Sequence, residues 1–182
     1  MSQAELAVRE APSRGASAEE IAFVKQIGIF SDLSDDQIER LLRIVTRKTF
    51  KQGEAIIKEG EVGDTMYILL EGTVEISKSL TMKVGRHAFE QMEKSFLRLE
   101  GKLCFGEMGM LQQDERSATV AALTDCVVFE VTQKDFDQYC ESDPLAGYRI
   151  VRRIAQVVSG RLRTANKDVL KLTTALSLAL AK

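Results

Sequence analysis

Between Phe105 and Val120 the chain reads FGEMGMLQQDERSATV, and this stretch holds the residues best placed to do chemistry. Gly106 and Glu107 open it, an apolar turn (Met108, Gly109, Met110, Leu111) follows, and a polar loop leads into Arg116, Ser117, Ala118 and Thr119. A cyclic phosphodiester on a ribose makes three demands. Backbone N–H groups must converge on it, which small residues and a helix start provide. One fixed cation must face two phosphate oxygens, a task for which Arg's planar fork suits better than Lys. The 2′-hydroxyl needs an acceptor, and a carboxylate is a strong one. Glu107, the turn after it and Arg116 meet all three within ten positions. The bland alternative is an ordinary surface ion pair between Glu107 and Arg116.

Something must hold these groups in place. Residues Met1 to Ala16 lack apolar periodicity and are expected to form a loose arm. Ser17 with Glu20, and Ser34 with Gln37, are capping-box starts for two helices. The first carries Ile21, Val24 and Ile27 on one face. The second, Asp35 to Val45, carries Ile38, Leu41, Leu42 and Val45. From Thr49 the apolar period becomes two. AIIK, TMYILL, TVEIS, FLRL, TVAAL and CVVFEV follow one another between turns at Gly53, Gly60, Gly63, Gly72 and Gly101, which predicts a small β-sandwich or barrel. Residues 78–95 interrupt it as an enlarged hairpin loop whose second half is compatible with a helical turn or two.

After Asp143-Pro144 the sequence is helix-compatible to Lys182. Val151, Ala155, Val158, Leu162, Ala165, Val169, Leu172, Leu176 and Ala179 alternate spacings of four and three, a heptad seam that predicts pairing with a second helix. One long helix lying along its own domain is the alternative. Ile150, Ile154 and Val157 form a second stripe expected to dock on the barrel. From Pro144 onward eight Lys or Arg face a single acid, Asp168, although the whole chain carries a net −2. A basic helix against an acidic body explains this, with a polyanionic partner as the sharper alternative.

The stretch 105–120 resembles the phosphate-binding cassette of the cyclic-nucleotide-binding domain family, which includes bacterial catabolite activators, regulatory subunits of cyclic-AMP-dependent kinase and cyclic-nucleotide-gated channels. IIKEGEVGDTMYILLEGTVEI (56–76) is similar to that family's earlier strands, and CVVFEVTQKDF to its last strand and following helix. The resemblance implies a mainly β fold: an eight-stranded β-roll with N-terminal helices and a long C-terminal helix. It divides the chain into an arm (1–16), a β-roll with its helices (17–143) and a lid and dimerisation helix (144–182). It implies cyclic AMP, with cyclic GMP as the alternative, held by Glu107 at the ribose and Arg116 at the phosphate. Gly106 and Ser117 add polar contacts, Met108 and Ala118 backbone N–H groups, and Asn166 in the lid an edge for the base. It further implies a homodimer through the C-terminal helix.

Catalysis is not expected. His87 is the only histidine, so a His-based triad or multi-His metal cage cannot form, and neither a Walker loop nor a GxGxxG before a helix occurs. No cofactor or metal is therefore expected. Three widely spaced cysteines, Cys104, Cys126 and Cys140, suggest free thiols in a reducing cytoplasm. The sequence ends in the predicted lid helix without a helix-turn-helix, so direct DNA binding is not expected either. Two functions remain: a sensor coupling nucleotide occupancy to the C-terminal helix, and a dimeric scaffold of the same fold that binds no nucleotide.

Overall fold

A computed structural model describes residues 16–84 and 88–180, and between 80 and 96 it describes the backbone alone. The expected arm and His87 therefore lie outside the described residues.

Two short helices open the fold, α1 (Ala18–Lys25) and α2 (Asp35–Leu42), and both start at the capping boxes the sequence predicts. Ten strands follow: β1 (Thr46–Phe50), β2 (Ala55–Ile57), β3 (Val62–Gly63), β4 (Thr65–Glu71), β5 (Thr73–Val84), β6 (Ala88–Glu100), β7 (Leu103–Phe105), β8 (Asp114–Glu115), β9 (Thr119–Ala122) and β10 (Cys126–Thr132). Helix α3 (Glu107–Leu111) sits between β7 and β8, and α4 (Gln133–Ser142) and α5 (Pro144–Leu180) end the fold. One four-stranded sheet runs β1-β10-β4-β7 and a second runs β2-β9-β5-β6, with β3 and β8 as a small ribbon. This is the mainly β roll with flanking helices expected from the sequence.

The burial pattern explains the sequence pattern. On β4, Tyr67 and Leu69 face the roll's interior with Val74, Phe105, Val120 and Val128. Met66 and Ile68 face the other way, against Phe30, Ile38, Leu41, Phe136 and Ile150 of the helices. Covered on both faces, β4 and β10 read as continuous apolar runs rather than as alternating ones.

Three expectations are corrected. Among the described residues of 78–95 there is no helical turn: β5 and β6 extend through them as antiparallel strands, paired from Thr73↔Glu100 to Val84↔Ala88. Gly63 is no turn residue but lies in β3, whereas Gly53, Gly60, Gly72 and Gly101 do take positive φ. On α5, Ile150 and Ile154 are buried in the core as expected, but Val158 packs beside them in place of the more exposed Val157.

Asp143 sets the direction of α5. It caps the helix by accepting the Ala146 N–H at 3.0 Å, and it accepts from Gln37 and Arg40 of α2 as well. Arg149 also donates to Gln37, and Arg153 forms a two-bond pair with Asp32. The first half of the basic helix thus meets the body through polar contacts. Beyond Val158 the seam positions Leu162, Val169, Leu172 and Leu176 are exposed.

Candidate functional site

Arg116 is the most tightly held side chain of the cassette. Its backbone is fixed to the β2–β3 turn, its N–H donating to the Glu61 carbonyl and its carbonyl accepting from Gly60. The residue as a whole is only 8% exposed. Nη1 donates to the Gly106 carbonyl at 3.2 Å, and Nη2 donates to both the carbonyl and the hydroxyl of Thr65 at 2.8 Å.

Glycine makes that burial possible. A Cβ on Gly63 would come within 2.5 Å of Arg116 Nε, and one on Gly109 would overlap Nη1. The guanidinium therefore lies in a slot walled by bare backbone. Gly106, at φ 79°, turns the chain from β7 into α3 in a conformation that an L side chain rarely adopts.

Glu107, the first residue of α3, is 4% exposed. Its carboxylate Oε1 accepts from Nη1 of Arg161, midway along α5. Between these groups and the second sheet lies a cavity of about 470 Å³, within the range usual for small-molecule sites. Ile57, Ile76, Leu99, Phe105 and Val120 line its apolar side, and its charged lining is Glu107, Asp114, Glu115, Arg116 and Arg161. Cys104 lies on the wall as well. Burial chiefly, with the nearby Glu107 charge adding to it, pushes its thiol up to about 12. It stays protonated and unreactive at neutral pH.

Gly106, Glu107, Met108, Arg116, Ser117 and Ala118 all line this cavity, so the structure brings together six of the seven residues expected from the sequence. Asn166 is not among the lining residues and is exposed on α5. The helix meets the cassette one turn and more earlier, at Arg161. Sequence reasoning missed four participants: Arg161, Thr65, and Gly63 and Gly109 as walls of the slot. Among the described residues no group of His, Cys, Asp and Glu could hold a metal ion. No helix among them is long and apolar enough to cross a membrane.

A model of the cyclic nucleotide-binding domain family matches residues 47–143, more than half of the chain and all of the roll from β1 to α4. The chain belongs to the cyclic nucleotide-binding domain family. The chain is similar to glutaminase 1 of Bradyrhizobium diazoefficiens, 32% identical over 146 residues, which cover 80% of this chain and 22% of that protein. It is also similar to the cyclic AMP receptor protein of Thermus thermophilus, 26% identical over 78% of this chain and 60% of that one. In glutaminase 1 and three further curated relatives, the chain spans from 10% to 34% of their length. The regulatory domain of Toxoplasma gondii PKA, crystallised with cAMP, shares the fold at a TM-score of 0.57 and 21% identity, over 65% of this chain and 42% of that one. Arg116 and Glu107 thus face one cavity within the stretch that the family model matches.

Proposed function

We infer that this chain is a regulatory module that binds a cyclic nucleotide, cyclic AMP in first place and cyclic GMP as the alternative, and passes occupancy on to α5. One observation carries the reading. Glu107, the acid suited to the ribose hydroxyl, is buried and is engaged by Arg161, a side chain of α5 itself.

The chemistry follows from the donors and acceptors present. The cyclic phosphate takes the N–H groups of Arg116 that the protein leaves open, with Ser117 and the first amides of α3 beside it. The ribose 2′-hydroxyl donates to Glu107 and so competes with Arg161. Apolar side chains from β2, β5, β6 and β9 cover the sugar and base. Displacing Arg161 weakens a tie between α5 and the cassette, which gives nucleotide a differential affinity for two helix positions. Asn166 would reach the base edge only after such a shift of α5. No step here makes or breaks a covalent bond, so the module is a sensor rather than an enzyme.

The exposed seam on α5 supports a homodimer joined along that helix, with output passing to a protein partner. The division at Asp143 follows from these roles, with 17–143 as the binding roll and 144–182 as the output helix. Free Cys104, Cys126 and Cys140 fit the reducing cytoplasm. The scaffold alternative draws on the same exposed seam. Titration with cyclic AMP, cyclic GMP and linear AMP separates the two functions. A sensor at about a hundred times the dissociation constant gains ~2.7 kcal/mol, a melting shift of roughly 5–10 °C. A melt unmoved by millimolar cyclic AMP or cyclic GMP leaves only the scaffold.

A further inference from the structure

A polar thread runs from Arg116 across the interior face of the first sheet, through side chains that do not touch the cavity. Arg116 Nη2 donates to Thr65 Oγ1 at 2.8 Å. The Thr65 hydroxyl donates to Tyr67 Oη at 3.2 Å. Tyr67 and Glu130 are register partners across β4 and β10, which sets the phenol beside the Glu130 carboxylate. Lys48 of β1 closes the thread with Nζ 2.6 Å from Glu130 Oε2. Arg116, Tyr67 and Glu130 are all buried.

The proton inventory of these groups fixes the direction of every bond. A guanidinium can only donate and an ionised carboxylate can only accept. Thr65 accepts from Arg116, so its single proton must go to Tyr67. Tyr67 accepts that proton, which leaves its own to turn toward the neighbouring Glu130 carboxylate. The two hydroxyl rotors therefore share one orientation, set at each end by a group that cannot reverse its role. Lys48 balances the Glu130 charge, so that a buried carboxylate can serve as the terminal acceptor. Burial, above all, pushes the Tyr67 phenol up to about 12, which keeps its proton available for donation at any physiological pH.

We propose that Tyr67, Glu130 and Lys48 are positioning residues for Arg116, acting through the Thr65 hydroxyl to hold the guanidinium in the plane in which it meets phosphate. The thread turns Thr65 lone pairs toward Nη2 and leaves Nε and the second N–H of Nη1 for the ligand. A guanidinium free to rotate about its last bonds would have to be ordered at the moment of binding, at a cost in affinity. The proposal rests on the assignment of Arg116 to the phosphate, but it makes a separate statement about Arg116 in the ligand-free protein.

Tyr67→Phe is the decisive variant. The ring stacks on Phe105 at 5.5 Å between centroids and meets Phe50 edge-on, so losing the hydroxyl leaves the packing intact. Calorimetry on Y67F should show cyclic AMP and cyclic GMP weakened together by about three- to tenfold, with discrimination against the 2′-deoxy analogue unchanged. In an Arg116→Lys background the same change should have no further effect, because the fork it orients is gone. Thr65→Ser should bind like the parent and Thr65→Val should behave like Y67F, which provides a second route if Y67F folds poorly. In the ligand-free protein, nitrogen NMR should show faster rotation of the Arg116 guanidinium in Y67F and T65V than in the parent. Lower melting temperature with unchanged affinity and unchanged rotation would reduce the thread to a stabilising network and overturn the proposal. If the parent binds neither nucleotide, the assignment of Arg116 to phosphate fails, and the rotation measurement alone decides whether the thread positions Arg116.

Discussion

Arg161 of α5 donates to the buried carboxylate of Glu107 at the start of α3, which ties α5 to α3 through an ion pair. The two ends differ sharply in exposure, 59% for the arginine side chain against 5% for the acid. Removing the arginine therefore costs the acid its partner more than it costs the arginine its environment. Arg161→Ala should lower the melting temperature of the ligand-free protein and raise cyclic AMP affinity by up to about tenfold, since the ribose hydroxyl then meets an uncontested acceptor. Weaker binding by calorimetry would mean that Arg161 assists the ligand instead of competing with it.

Arg116 and Glu107 should fail in different ways. Arg116→Ala leaves the phosphate charge without a partner, a loss of roughly 2–5 kcal/mol, or about thirtyfold and more in affinity. Glu107→Ala should weaken binding too, but its signature is lost discrimination between cyclic AMP and the 2′-deoxy analogue. If both variants lose that discrimination equally, the division of labour is wrong.

Gly109 offers a test that touches no polar group. A Cβ there would overlap the guanidinium and press on the Gly63 carbonyl at 2.8 Å. Gly109→Ala should displace Arg116, destabilise the fold by about 1–3 kcal/mol, and reduce affinity for cyclic AMP at least tenfold. Normal affinity in a folded G109A protein would show that the slot has room to spare.

The α5 seam predicts association. Val169→Asp combined with Leu172→Asp would bury charge between paired helices at a cost of several kcal/mol, and should convert a dimer to a monomer in sedimentation. A parent chain already monomeric at tens of micromolar would rule the seam out as a pairing face.

Acid should loosen the join between α2 and α5. The Ala146 N–H first, then Gln37 and Arg40, hold the Asp143 carboxyl below its ordinary value. A depressed folded-state pKa means that the folded chain binds fewer protons than the unfolded chain in that range. The stabilisation is complete above the unfolded value of about 3.9 and drains away as pH falls through the folded one. Asp143→Asn should melt lower than the parent at neutral pH and show a shallower acid decline below about pH 4. Parallel melting curves for the two proteins from pH 7 to pH 3 would show that Asp143 does not contribute.

Much of the roll was legible because local sequence decided it. Ser17 with Glu20 and Ser34 with Gln37 start helices through bonds that span three residues, and β4 and β10 announce themselves as apolar runs. The cassette was legible for a similar reason, since Gly106 to Ala118 carries its glycine, acid and arginine in one short stretch. Arg161 was not, because its contact with Glu107 depends on the rotation of a helix 54 residues away. The β5–β6 hairpin misled for another reason. Phe89 and Met92 stand three apart, a helical spacing, while their backbone is paired with Lys83 and Leu80 of β5. Strands β3 and β8, two residues each, are too short to leave any period.

The strand order also bears on how the chain is made. β10, last of the strands in sequence, lies between β1 and β4, and β9 lies between β2 and β5. During vectorial synthesis the second sheet cannot close its centre until Ala122 has left the ribosome, nor the first until Thr132 has. Until then β4 presents two apolar faces, and β1, paired solely with β10, has no neighbour to join. Contacts that bridge Thr46 to Glu130 also raise the contact order and slow folding. The nascent roll therefore stays unsealed for most of its translation, and its two sheets are completed by strands that emerge almost together.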